Sequence, residues 1–208
     1  MIHCRLHFSG ASIIESTADV LAALRAATAQ RHAVLDESLA IGRPGAALDD
    51  YRAHLLMLRA WLAPLQAWLS TFQDGPQALP SKDRLRVIED DLGVCETLPH
   101  IGSGQFVQLR DRPWAGDASA AYRWGMCYVI EGSQLGGAVL YQRLKDGLAP
   151  HPLNYLRGES EGPGPRWRMF MQAIKAEVIT QSDIEIACRG ACDAFDRVLV
   201  LGQGVNSI

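Results

Sequence analysis

The feature that most restricts the fold of this chain is a series of apolar stripes with helical spacing. Leu21, Leu24, Thr28, His32, Leu35 and Leu39 fall at steps of three and four, on one face of a helix. Thr28 is small and carries a methyl, so it thins the stripe without breaking it. Ser16 and Thr17, with Asp19 in the first turn, mark an N-cap region; Gly42, Pro44 and Gly45 end the helix. A second stripe runs through Tyr51, Leu55, Leu58, Leu62, Leu65, Leu69 and Phe72. Pro64 within it predicts a kink or a division. Ser81 caps a shorter helix carrying Leu85, Ile88 and Leu92, closed by Gly93. Residues 95–116 read as a loop with at most one helical turn. The longest pattern, over 117–147, contains Tyr122, Met126, Val129, Ser133, Gly136, Leu140 and Leu144. A loop at 150–165 follows. Trp167, Phe170, Ile174 and Val178 open another helix, and Ser182-Asp183-Ile184-Glu185 has the form of a capping box before a last one. Ile184, Ala187, Ala191, Phe195 and Val198 share a face of that last helix. No segment alternates with the period of a strand. The patterns predict an all-α chain of six to eight helices, with a tail at 1–16 and one domain over 17–208.

Composition removes several functions. The 208 residues are 48% hydrophobic and 21% charged, with a formal net charge of -3. No lysine- or arginine-rich block stands out, so nucleic acid is not an expected partner. No apolar stretch approaches the length of a membrane span, so no membrane role is expected. The segment MIHCRLHFSGASIIES lacks the apolar run of a secretory signal. Five cysteines without a CxxC pair predict a reducing, cytoplasmic setting. His3, Cys4 and His7 read as part of the tail rather than as metal ligands.

Two anomalies interrupt the apolar faces. His32 sits within a mainly leucine stripe. Such a histidine is either a hydrogen-bonded core residue or an imidazole facing a pocket, free to bind a metal. The other histidines hold no comparable position; His54 reads as a polar edge residue of the second helix. The second anomaly is EGSQLGGAVL (131–140), with three glycines within six residues of a helical pattern. Each interior glycine costs about 1 kcal/mol relative to alanine. Gly132 and Gly136 form a GxxxG spacing that permits close helix packing. The other reading is that a flat object lies against a bare backbone, with the Ser133 hydroxyl close to it. A planar metal-bearing ligand clamped between the two helices would explain both anomalies.

LRAATAQRHAVLD (24–36) followed by YVIEGSQLGGAVL (128–140) resembles the bacterial haem oxygenases, most closely the biliverdin-producing type found with bacteriophytochromes. RWRMFMQAI (166–174) and CDAFDRVLV (192–200) resemble that family's closing helices. The resemblance covers roughly 17–200. It implies a single-domain all-α bundle with haem between a proximal and a distal helix. His32 falls on the proximal iron ligand, and Gly132, Gly136 and Gly137 fall on the distal-helix glycines. Haem is then both substrate and cofactor. Dioxygen and electrons from a separate reductase or ferredoxin open it to biliverdin, carbon monoxide and ferrous iron, and a bacteriophytochrome can accept the biliverdin. Arg168 is a candidate partner for the haem propionates, as are Arg25 and Arg31 beside the proximal ligand; each reads equally as a solvated surface arginine. Mammalian-type members carry an aspartate after the first distal glycine, where this chain has Ser133. Cys127 stands where that type has a tyrosine near a propionate, with Tyr128 one residue away.

Two other readings compete. The same fold could hold haem or a bilin without turnover. Related helical enzymes use di-iron centres or a cysteine nucleophile, but this chain has no ExxH motif. Cys95 and Cys127 have no recognisable companions in the sequence.

Overall fold

The computed structural model describes residues 19–95 and 113–205. The proposed tail at 1–16, Ser16, Thr17 and most of the 95–116 segment lie outside them. Seven α-helices occur among the described residues: α1 (Val20–Ser38), α2 (Leu48–Leu69), α3 (Arg84–Val94), α4 (Ala120–Leu144), α5 (Asn154–Arg157), α6 (Gly164–Glu177) and α7 (Gln181–Val205). Short 3₁₀ turns occupy Ala40–Gly42 and Gly75–Ala78. The all-α expectation therefore holds, and no helix among the described residues is long and apolar enough to cross a membrane.

Local chemistry sets the ends. Asp19 caps α1, its carboxylate accepting from the Leu21 N–H at 3.0 Å. Asp83, not Ser81, caps α3 by accepting from the Arg86 N–H. The last helix starts at Gln181, ahead of the Ser182 box, because Thr180 Oγ1 accepts from the Asp183 N–H and donates to the Asp183 carboxylate. Pro64 does not divide α2, which runs unbroken through it with Pro64 itself buried.

The segment read as a loop at 150–165 contains α5. Four residues are too few to show a period, and its anchor is tertiary. The buried Asp91 carboxylate of α3 accepts from the Tyr51 hydroxyl, the Asn154 amide and the Tyr155 N–H. A buried charge is tolerated only when so fully hydrogen-bonded. His54 is half-buried on α2. Its Nδ1 is buried without a hydrogen-bond partner among the described residues, and burial pushes its pKa down to about 4.

The core gathers around α4 and α7, which cross at van der Waals limits. A Cβ at Gly125 would lie 1.7 Å from the Ala187 carbonyl oxygen, and one at Gly190 2.1 Å from that of Tyr122. Ile184, Ala187, Ala191, Phe195 and Val198, the predicted face of the last helix, are all buried there. In α4, ten of the eleven residues from Ala121 to Glu131 are buried; beyond Glu131 only Leu144 is. α1 behaves alike: Val20, Leu21, Leu24 and Thr28 are buried, and nothing after Thr28. Thr28 donates its hydroxyl to the Leu24 carbonyl, which lets a polar residue sit in the stripe. α1 lies along α7, tied by a two-point ion pair from Arg31 to Asp196 at 2.7 and 3.0 Å.

Adding a methyl at this crossing must separate two backbones. Gly125→Ala or Gly190→Ala is expected to destabilise the protein by about 3 kcal/mol or more, read as a lowered midpoint in urea unfolding.

Candidate functional site

Two helices thus each have a buried half and an emergent half. The emergent halves carry His32 and the glycine segment. The His32 side chain is 63% exposed, so the core-histidine reading fails. Its Nδ1 meets the Asp36 carboxylate at 2.9 Å, one turn on, and its ring leans on Phe195 with centroids 5.9 Å apart. A carboxylate on one ring nitrogen fixes the tautomer and leaves Nε2 as the electron-pair donor, the arrangement commonly found behind metal-ligating imidazoles. Asp36 was readable in the sequence as a carboxylate four residues after the histidine.

The close-packing reading of Gly132 and Gly136 also fails. A Cβ at Gly136 would meet nothing within 4 Å; at Gly132 and Gly137 it would make ordinary contacts with Trp167 at 3.8 Å and Leu156 at 3.7 Å. Among the described residues, no neighbour requires any of the three glycines. The glycines that packing does require, Gly125 and Gly190, belong to no motif and escaped the sequence reading. Ser133 Oγ donates to the Ile130 carbonyl at 2.8 Å and lies close to the Tyr155 hydroxyl. Its hydroxyl is therefore held toward the body of α4 rather than projecting freely as a carboxylate would.

Arg25 on α1 and Tyr128 on α4 are near enough for the arginine charge to be felt at the phenol. Burial raises the Tyr128 phenol pKa, and the Arg25 charge opposes that shift. The Tyr128 ring rests against Trp167 at 5.5 Å, and Trp167 stacks on Phe170. His32 stands about two turns of α1 beyond Arg25, and Gly136 about two turns of α4 beyond Tyr128. Arg168 is exposed, its guanidinium lying back near Gly164 at the start of α6. Arg31 is engaged by Asp196 and serves the α1–α7 contact.

The sequence reading missed the anchor behind the glycines. Glu131, immediately before Gly132, is buried and receives Arg166 at both oxygens and Arg84 at one, each at 2.7 Å. Burial alone would raise its pKa. Hydrogen bonds from Arg166 and the charge of Arg84 outweigh burial and hold the carboxyl below its usual range. Nothing in the local sequence marks this pairing, because the partners lie 47 and 35 residues away.

Cys95 does have a companion that sequence did not reveal: its Sγ lies 3.5 Å from His151 Nε2. The Leu153 N–H donates to His151 Nδ1, so Nε2 carries the proton and cannot accept one from the thiol. Burial and Asp91 also raise the thiol pKa. Cys127 is a buried thiol pushed up to about 12 by desolvation. Neither is an activated nucleophile. Among the described residues, no group of three or more His, Cys, Asp or Glu side chains is placed to hold a metal ion.

No family model matches the chain. A heme oxygenase of Xanthomonas campestris pv. campestris (strain 8004) is 36% identical over 115 residues, 54% of this chain. The match spans 62% of that relative's length. Among solved structures, the NO- and CO-bound heme oxygenase of Neisseria meningitidis superposes with a TM-score of 0.65, at 21% identity, covering 90% of this chain and 92% of that one. The arrangement of helices described above is the all-α fold of that heme oxygenase.

Proposed function

We propose that this protein is a haem oxygenase. It binds haem between α1 and α4, ligates the iron through His32, and opens the ring to biliverdin with release of carbon monoxide and ferrous iron. The observation that carries this reading is the pairing of an exposed, carboxylate-held imidazole with a helical glycine face that no packing demand explains. The likenesses to two heme oxygenases, one in sequence and one in fold, support it. Bound haem would supply the iron that activates dioxygen, drawing electrons from a reductase or ferredoxin; biliverdin would pass to an acceptor such as a bacteriophytochrome.

The residues of the chain do the rest. His32 Nε2 supplies a neutral nitrogen ligand, and Asp36 holds its Nδ1 proton and ring orientation. Gly132, Gly136 and Gly137 keep side-chain bulk off the facing surface, so backbone forms the wall of the site. Holding reacting groups in one geometry is worth far more than strong binding in a self-directed oxidation. Ser133 orders this wall through Ile130 and Tyr155. Arg25 and Tyr128 form a polar edge suited to a propionate, with Arg168 at the start of α6 as a further cation.

The direct test adds haemin and a reductant in air. The Soret band should decay while biliverdin accumulates, identified by chromatography. An undiminished Soret band over many minutes would show a binding protein rather than an enzyme.

A second prediction separates stability from activity at one atom. Because a Cβ at Gly136 meets open space, Gly136→Ala should stabilise α4 by about 1 kcal/mol, raising Tm by roughly 3 °C. The same change should lower haem turnover at least tenfold. Unchanged turnover would remove the glycine face from the site.

A further inference from the structure

A cavity of about 380 Å³ opens between the N-terminal ends of α3 and α6, the short α5, and α4 at Glu131 and Gln134. None of the residues assigned above to haem lines it. Its walls carry five basic side chains, Lys82, Arg84, Arg86, Arg157 and Arg166, against three acidic ones, Asp83, Glu131 and Glu159, an excess of two positive charges.

The acids are already engaged. Asp83 caps α3, Glu131 is clamped by Arg84 and Arg166, and Glu159 pairs with Lys82. Arg166 is fixed further by donating to the Pro80 carbonyl at 2.8 Å. The Glu131 cluster therefore presents a net positive charge on two half-buried arginines that are held in place before any ligand arrives. Among the described residues, Arg157 donates to the neutral Asn154 Oδ1 and neither Arg157 nor Arg86 has a carboxylate partner. The remaining wall is mainly apolar, with Val87, Leu156, Pro163 and Trp167 beside the polar Gln134, Asn154 and Tyr155. Arg86 and Arg157 are exposed side chains on the cavity wall, and guanidinium groups beside an apolar floor recognise a carboxylate joined to a hydrophobic body.

We propose that this cavity is a second ligand site, distinct from the haem site, for a small organic carboxylate with a flat apolar body. Arg86 and Arg157 meet the carboxylate, and Val87, Leu156 and Trp167 cover the body. The cavity adjoins the proposed haem site, since Glu131 and Gln134 flank Ser133 on α4 and Trp167 and Leu156 are what a Cβ at Gly132 or Gly137 would meet, but none of the residues proposed to hold haem lines it.

The test uses 1-naphthoate as probe and 1-naphthalenemethanol as its uncharged counterpart, titrated by calorimetry into the haem-free protein. Naphthoate should bind at one saturable site and quench tryptophan fluorescence. The alcohol should bind at least tenfold more weakly. Arg86→Gln with Arg157→Gln should weaken naphthoate at least tenfold, while the far-UV spectrum and Tm stay unchanged. Trp167→Phe should abolish most of the quenching and leave the calorimetric affinity within threefold. Equal binding of acid and alcohol, full affinity in the double arginine variant, quenching that survives in Trp167→Phe, or no saturable binding would each overturn the proposal. The double arginine variant should keep wild-type haem turnover, so failure of the haem reading and failure of this one are read in separate experiments.

Discussion

The rest of the structure depends on the crossing of α4 and α7. At Gly125 and Gly190 two backbones touch without side chains between them. Close-packed interiors transmit small displacements rather than absorbing them, so this contact fixes the first half of α4 in space. Everything that follows along α4 inherits that position. α7 in turn carries Asp196, which takes Arg31, and Phe195, on which the His32 ring leans. One helix thus positions both walls of the proposed cleft.

The transition from core to cleft is abrupt and is marked by charge. Burial along α4 stops at Glu131, and there a carboxylate with two arginines ties α4 to the starts of α3 and α6. Removing Glu131 would leave two guanidinium groups unpaired, whereas removing either arginine leaves the carboxylate still paired with the other. The cluster therefore holds the glycine segment from behind, while at Gly136 its open face meets none of the described residues. A stretch of helix poor in its own stability is kept in place by neighbours on one side only. That division explains how three glycines can persist without a packing role.

The helices were legible because their apolar periods are strong, and the face carrying Ile184, Ala187 and Ala191 is buried as the spacing predicts. Caps were legible only approximately. Asp83 and Thr180 displace Ser81 and Ser182 because side-chain geometry, not residue type alone, decides which oxygen reaches the backbone. α5 was invisible, being four residues held by Asp91 from a distant helix. The glycines were the instructive case. Sequence spacing left Gly132 and Gly136 open between close packing and a ligand face, and the glycines that the α4–α7 crossing requires are Gly125 and Gly190, since spacing cannot say which face meets a neighbour. His32 stood out in the sequence as a histidine in a leucine stripe, and the proposed ligand role rests on its exposure and its Asp36 partner. The Glu131 cluster had no local signal, because its partners converge only in the folded chain.

The central claim is that His32 is the protein's iron ligand. Its exposed side chain makes His32→Ala a change that the fold should tolerate, so a spectral effect can be read cleanly. The decisive measurement is the optical and electron paramagnetic resonance spectrum of haemin bound to that variant, with and without added imidazole. The account predicts loss of the axial-imidazole spectrum at unchanged Tm, and its return when imidazole fills the space left by the side chain. A variant that keeps the wild-type haem spectrum without imidazole would contradict it.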